Sequence, residues 1–402
     1  MKIVHVIASI DPKNGGLQAV AMRLAAAQAA MGSEVHIVAY GSEEAHRQVI
    51  ELGEAIPGFS DVRLHVLTLP GRFESIFCIQ GKRRLRQLFP GTSFIHIHGI
   101  WEPFLLYASK LAGKIPYCVC PAGMLDHWSL AQKRWKKKIA LRLCYSGMLN
   151  NAAFIHVLNI DELRTVKPLG FRAPNIIIPN GVFPDEFDPL PAKDLFRAQI
   201  GLPQERRYIL FLSRLHFKKG LDILADAFAV LAAQHPDVDL VVAGPADGAE
   251  AGFTALIERH GLGGRVHMTG PIYGDTKLAA IVEADCFCLP SRQEGFSMAI
   301  LEGLACATPV VISDQCHFPE VAAAQAGMVV TLDPVEVAKG LDAILGDRIL
   351  ARQMGENGRR MIFETFTWPR IADMTLRAYE ASACAAPASG RRARTGFAGF
   401  PT

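Results

Sequence analysis

Apolar residues along this chain come in short, dense runs, separated by stretches in which alanine and leucine recur at helical spacing. The first runs are KIVHVIAS at 2–9, EVHIVAY at 34–40, RLHVLTL at 63–69, FIHIH at 94–98, YCVC at 117–120, FIHVL at 154–158 and NIIIP at 175–179. They are rich in β-branched and aromatic residues, which predicts strands buried on both faces. Between the first two, LQAVAMRLAAAQAAMG reads as a helix that stops at Gly32. Strands alternating with helices imply a mostly parallel sheet covered on both sides.

At Asn180 the texture changes. NGVFPDEFDPLPAKD is rich in proline and acid and reads as a linker or hinge. The alternation then restarts with YILFLSR at 208–214, DLVVAG at 239–244, RVHMTG at 265–270, DCFCLP at 285–290 and TPVVIS at 308–313. Two more helices are expected near 348–363 and 368–382. The tail 384–402, CAAPASGRRARTGFAGFPT, has little to bury and is expected to be disordered. The fold class expected is α/β, with two doubly wound domains facing a cleft, and such a cleft is the default ligand site.

Composition narrows this picture. A chain of 402 residues favours two domains over one core. The formal net charge of +3 gives no basic footprint for nucleic acid. Nine scattered cysteines include no C-x-x-C pair, so reduced, buried thiols are preferred over a zinc or redox site. No apolar run of ~18 residues predicts a transmembrane helix, and MKIVHVIASID does not read as a signal peptide. The expected location is cytoplasmic.

Four stretches carry candidate chemistry. NGG at 14–16 follows the first strand, and Gly15 and Gly16 there would leave backbone N–H groups facing a phosphate at a helix start, or simply make a turn. In SRLHFKKG at 213–220, Arg214 and Lys219 lie across a strand-to-helix turn, where they can neutralise a pyrophosphate or form a solvated basic loop. In RQEGFSMAILEG at 292–303, a helix starting near Ser297 would put Glu294 in the loop ahead of it and Glu302 inside it. The N–H groups of Gly295, Phe296 and Ser297 would make another anion site, and Glu302 could accept hydrogen bonds from two vicinal hydroxyls. In HIHGIWEPF at 96–104, His96 and His98 share one strand face. No Cys, Asp or third His follows at ligand spacing, so hydrogen bonding to a ligand is preferred over metal.

Taken in order, SRLHFKKG, VVAGP at 241–245, GPIYGDTKLAAIVEADCFCLPS at 270–291 and EGFSMAILE at 294–302 resemble the retaining nucleotide-sugar glycosyltransferases of the GT-B fold, family four, or glycosyl transferases group 1. IPNGV at 178–182 is similar to that family's interdomain segment, and the resemblance covers about residues 1 to 382. It implies two Rossmann-like domains: 1–180 on the acceptor side, 181–365 binding the nucleotide-sugar, and a helix, 366–383, crossing back to the first domain. By the same resemblance Gly15 and Gly16 approach the phosphates, and Arg214 and Lys219 hold the donor diphosphate. Glu302 binds the ribose, while Glu294 and His98 contact the donor sugar near the reacting centre. Gly244, Ile272, Gly295, Phe296 and Ser297 complete the donor site. No cofactor is expected beyond the nucleotide-sugar donor, and transfer is expected to be retaining, metal-independent and without a D-x-D triplet in the chain. Two positions depart from the pattern: Ala122 in PAGMLDHW, where a subset carries arginine, and Asn159, where many relatives have serine or threonine.

The expected acceptor is a glycan or lipid-linked glycan, in cell-surface polysaccharide synthesis. The alternatives are a nucleotide-sugar epimerase or a non-catalytic nucleotide-sugar binder on the same scaffold. The segment LDHWSLAQKRWKKKIALRL at 125–143 also reads as one helix, with Lys133, Arg134, Lys136, Lys137 and Lys138 opposite Trp128, Trp135 and Ile139. That pattern predicts contact with the anionic inner face of the cytoplasmic membrane, or an ordinary scaffold helix.

Overall fold

The computed structural model describes residues 1–12, 16–132, 134–192 and 195–384. The chain divides into two compact units, one formed by Met1–Asn180 with Trp368–Thr402 and the other by Gly181–Thr367. The expected tail 384–402, apart from the last helical residue Cys384, lies outside the described residues.

The first unit holds strands β1 (Lys2–Ser9), β2 (Glu34–Gly41), β3 (Val62–Thr68), β4 (Phe94–His98), β5 (Tyr117–Cys120), β6 (Phe154–Val157) and β7 (Asn175–Ile177). They form one parallel sheet in the order β3-β2-β1-β4-β5-β6-β7. Every residue of β4, β5 and β6 is buried, because helices cover both faces, and this is why these strands read as unbroken apolar runs. One cover is the helix Gly16–Ala30. The C-terminal helix Trp368–Cys384 packs against it within the same unit, with Tyr379 wholly buried and its ring 4.0 Å from that of Phe94.

The second unit holds β8 (Arg207–Leu212), β9 (Val238–Ala243), β10 (Val266–Gly270), β11 (Cys286–Leu289), β12 (Val310–Ser313) and β13 (Gly327–Val330), ordered β10-β9-β8-β11-β12-β13 and again parallel. In each sheet the order reverses beside the first strand, between β1 and β4 and between β8 and β11. The carboxyl ends flanking such a reversal are where open α/β sheets bind ligands. Strand β13 escaped the sequence reading because GMVV is short and follows an alanine-rich stretch with no turn signal of its own.

Two local expectations are corrected. The proline-rich segment after Asn180 is not a free linker at its start. Phe183 and Phe187 are buried, Val182 N–H donates to Phe366 O at 2.9 Å, and Arg359 donates to Phe187 O at 3.1 Å. Nor is 125–143 one helix. It comprises His127–Ala131, then Arg134–Ala140, then a π-helical turn at Leu141–Tyr145, because Gln132 takes an extended ψ of 119° and interrupts the ladder. Trp135, Ile139 and Leu143, spaced by four, are 66%, 49% and 75% exposed. Lys137 turns inward to Ser129 O at 2.7 Å, and Lys133 lies outside the described residues.

Candidate active site

In the second unit, the residues that the sequence resemblance assigns to donor binding lie at or just beyond the carboxyl ends of its strands. The loop after β8 carries Arg214 and a 3-10 turn, Phe217–Lys219. The loop after β11 carries Glu294 and leads into the helix Met298–Ala305, whose N-cap is Ser297. These loops meet. Lys219 Nζ donates to Glu294 Oε1 at 2.6 Å, and Ser291 Oγ donates to the same oxygen at 2.6 Å. The side chains of Lys219 and Glu294 are only 14% and 8% exposed, so this ion pair is largely out of water.

Arg292, which the sequence reading passed over, fastens the two loops together. Its guanidinium grips Asp222 with two hydrogen bonds of 2.8 and 2.6 Å, donates to Phe217 O at 2.9 Å, and lies 4.0 Å from the Phe217 ring centroid. Its own N–H donates to Lys218 O at 2.6 Å. Planar, bidentate pairing of this kind fixes geometry as well as charge.

Two glycines make the close approaches possible. Gly244, at φ +147°, directly follows β9, and a Cβ there would lie 1.8 Å from Ser213 O, against the residue preceding Arg214. Gly220, at φ +69°, follows Lys219, and a Cβ there would lie 1.9 Å from Pro290 O. Neither backbone tolerates a side chain.

The other residues expected at the donor site are placed as follows. Arg214 pairs with Asp247 at 2.8 Å, both groups more than a third exposed. Glu302 accepts from Lys277 Nζ at 2.8 Å, a partner missed because Lys277 sits on the preceding helix, Gly274–Val282. Ile272 is buried after β10, and Gly244 N–H donates to Gly270 O at 2.9 Å, which ties the ends of β9 and β10. Gly295 follows Glu294 directly, and Phe296 is buried against Phe318 and Phe366.

The chain does contain a D-x-D triplet, Asp237-Val238-Asp239, so the expectation of none is wrong. It lies at the amino end of β9, opposite the loop end of the sheet. Asp237 pairs with Arg207, and Asp239 with Arg206, Arg265 and His267.

In the first unit, Gly16 opens the helix Gly16–Ala30 and Gly15 lies outside the described residues. His98 closes β4 and is buried, stacked 4.1 Å from His96. The sequence offered no third ligand for this pair, but the sheet supplies several from neighbouring strands. His5, His96 and His98 have ring nitrogens within 4.8 Å of one another, as do His96 and His156 with the Cys120 sulfur. Both ring nitrogens of His5, His96 and His156, and His98 Nε2, are engaged among themselves and with Gln28, Tyr379 and a carbonyl, at 2.6–3.3 Å, which leaves His98 Nδ1 alone without a partner among the described residues. Burial holds all four rings below the usual histidine range, His5 and His156 at about 4. Burial also pushes the Cys120 thiol up, so it is a poor thiolate ligand. The cluster fits a neutral hydrogen-bonded core better than a metal centre.

Glu162 was also missed. Its carboxylate caps the ends of β5 and β6, accepting from Gly123 N at 2.6 Å and Leu158 N at 2.7 Å, and burial raises its pKa to about 7. Asn159 caps the same helix, Ile160–Val166, by accepting from Glu162 N at 2.7 Å.

The chain belongs to the group 1 glycosyl transferases. Residues 15–181 match the Glycosyl transferase 4-like domain, and residues 192–361 match Glycosyl transferases group 1. A phosphatidyl-myo-inositol mannosyltransferase of Mycolicibacterium smegmatis is 32% identical over 232 residues, 56% of each chain. The chain spans about half the length of the curated relatives it matches. Among solved structures, sucrose-phosphate synthase from Thermosynechococcus elongatus superposes with a TM-score of 0.76 at 22% identity, covering 96% of this chain and 100% of that one. Anabaena HepE in complex with UDP-glucose gives 0.75 at 18% identity, covering 95% and 100%. Both likenesses establish the fold, two Rossmann-like units of the GT-B class.

Proposed function

We propose that this chain transfers a sugar from a nucleotide-diphosphate sugar to a glycan or lipid-linked glycan, with retention at the anomeric carbon and without a metal ion. The observation that carries this reading is the buried Lys219–Glu294 pair beside Arg214, at the strand ends flanking the order reversal of the second sheet. A diphosphate offered to this loop finds two cations already fixed in place. Lys219 and Arg214 exchange their carboxylate partners for phosphate oxygens, which frees Glu294 for a sugar hydroxyl. Glu302, steadied by Lys277, takes the ribose hydroxyls.

In this reading the bond between the anomeric carbon and the diphosphate oxygen breaks, and the electron pair leaves with the diphosphate. Lys219 and Arg214 stabilise that developing charge, a role fixed cations fill without a metal. The acceptor hydroxyl oxygen bonds to the anomeric carbon on the same face and gives its proton to the departing oxygen. His98 hydrogen-bonds the donor sugar.

The bound UDP-glucose of HepE supports a nucleotide-sugar donor by analogy of fold. The relative's name, phosphatidyl-myo-inositol mannosyltransferase, supports a lipid acceptor; the reading proposed for this chain is a lipid-linked acceptor met at the cytoplasmic face of a membrane, in cell-surface polysaccharide synthesis. The exposed row Trp135, Ile139 and Leu143, flanked by exposed Arg134, Lys136, Lys138 and Arg142, would make that contact. None of the described helices is long and apolar enough to cross a membrane.

The direct test is thermal unfolding with a panel of UDP-, GDP- and ADP-sugars. A true donor at a hundred times its Kd adds about 2.7 kcal/mol of stability and raises Tm. A panel in which no nucleotide-sugar moves Tm contradicts the reading.

A further inference from the structure

The buried side chains of His156, His96, Tyr379, Gln28, Thr375, His5 and His98 form one hydrogen-bonded chain that ends at His98, and its polarity can be derived. The Ile178 carbonyl can only accept, so the 2.6 Å contact makes His156 a donor through Nε2. A neutral His156 then accepts at Nδ1, which makes His96 the donor through Nε2 at 3.3 Å. His96 Nδ1 accepts from the Tyr379 hydroxyl at 2.6 Å. The Tyr379 oxygen in turn accepts from Gln28 Nε2 at 3.2 Å.

A second anchor fixes the Gln28 amide independently. Thr375 Oγ1 donates to Ala372 O at 2.8 Å, so it accepts from Gln28 Nε2 at 2.8 Å. Gln28 Oε1 is therefore the atom facing His5, and His5 donates to it through Nε2 at 2.8 Å. His5 Nδ1 is left as an acceptor, so His98 donates to it through Nε2 at 2.9 Å. The opposite tautomer of His98 would set two nitrogen lone pairs against each other at that distance. The last atom of the chain, His98 Nδ1, is buried and has no hydrogen-bond partner among the described residues. Every other member has one, and burial keeps all the rings neutral.

We propose that Gln28, His5, Thr375 and Tyr379 are positioning residues which lock His98 as its Nε2–H tautomer and so present Nδ1 as a fixed acceptor for a hydroxyl group. That the hydroxyl belongs to a bound sugar rests on the transfer reading above; the lock itself does not. The arrangement also gives the C-terminal helix a task beyond covering the sheet, because Thr375 and Tyr379 supply both acceptors that orient Gln28.

The test needs no substrate. Long-range proton–nitrogen correlation spectra of the full chain labelled with nitrogen-15 histidine report each ring's protonated nitrogen, with His98 assigned by the signals lost in His98→Gln. The expected spectrum shows His98 protonated on Nε2 and bare on Nδ1. A His98 protonated on Nδ1, or on both nitrogens, overturns the proposal. In Gln28→Met, His5 loses its acceptor and is free to donate from Nδ1, so a measurable share of His98 should shift to the Nδ1–H form. If Gln28→Met does not fold, Thr375→Val with Tyr379→Phe frees the amide to turn over and should give the same shift. Tyr379→Phe alone should leave His98 unchanged, since Thr375 still orients Gln28. A folded Gln28→Met or double variant that keeps His98 entirely Nε2–H shows that these residues do not set the tautomer.

Discussion

Lys219 and Glu294, 75 residues apart in sequence, meet at 2.6 Å with both side chains nearly out of water. Arg214, on the same loop as Lys219, pairs with Asp247 at 2.8 Å but remains 45% exposed. The two cations should therefore behave differently when removed.

Lys219→Ala leaves a desolvated carboxylate without its cation and should cost roughly 3 kcal/mol of stability. Arg214→Ala breaks a solvated pair and should cost less than ~1 kcal/mol. Lys219→Met combined with Glu294→Gln should recover part of the Lys219→Ala loss, because no lone charge is left buried. Urea unfolding of the four proteins checks this, and equal losses in the two alanine variants would show that burial does not separate the pairs.

The buried histidines set an acid limit on the first unit. His5 and His156 have folded-state pKa values of about 4 against 6.5 for free histidine, lowered chiefly by burial, and burial likewise holds His96 and His98 well below the usual histidine range. The unfolded chain binds more protons between those values, so this contribution is complete above pH 6.5 and is lost as pH falls toward 4. His5 and His156 each contribute on the order of 3 kcal/mol at neutral pH, and His96 and His98 act in the same direction. Glu162 works in the opposite direction: its folded pKa of about 7 favours the folded state below pH 4.5 and loses that contribution as pH rises through 7. Four rings outweigh one carboxyl, so the free energy of unfolding should fall from pH 6.5 to 4. A pH series of urea midpoints that is flat across this window contradicts the neutral cluster.

Much of the fold could be read in the chain because parallel strands covered on both faces leave continuous apolar runs. FIHIH and YCVC became β4 and β5 residue for residue. The motif loops were legible because glycine, arginine and glutamate at strand ends are local signals. What connects them was not. Arg292 meets Asp222, Lys277 meets Glu302, and Tyr379 meets His96 only through tertiary packing, across 70, 25 and 283 residues. His5 and His156 carry no signal of their own in the sequence, and His96 pairs there only with His98, because the sheet order that aligns all four appears nowhere in sequence spacing. The broken helix at Gln132 was missed because the heptad-like placement of Trp128, Trp135 and Ile139 carries no breaker such as proline or glycine.

Membrane contact has its own signature. The wild-type chain should co-sediment with anionic vesicles at low salt, less at high salt, and little with neutral vesicles. Replacing Lys136 and Lys138 with glutamine and Trp135 with serine should release it, since these side chains are exposed. A wild-type protein that stays in the supernatant with anionic vesicles at low salt rules the contact out.

Transfer should survive excess EDTA, because in the proposed reading Lys219 and Arg214 supply the positive charge, while the D-x-D triplet is taken up in ion pairs at the other end of β9. The new linkage should keep the anomeric configuration of the donor, read from its proton coupling by NMR. Activity lost on chelation and restored by manganese would reveal a missed metal site, and an inverted product would contradict the same-face transfer.

The most direct test of the central claim is calorimetric titration of the nucleotide-sugar that most raises Tm, into wild type and into an Arg214→Ala, Lys219→Ala double variant. Each charge-assisted contact to the diphosphate is worth ~1.5–3 kcal/mol. The account predicts saturable binding to wild type and binding weakened at least ~10-fold in the folded double variant. A folded double variant that binds the donor as tightly as wild type would contradict it.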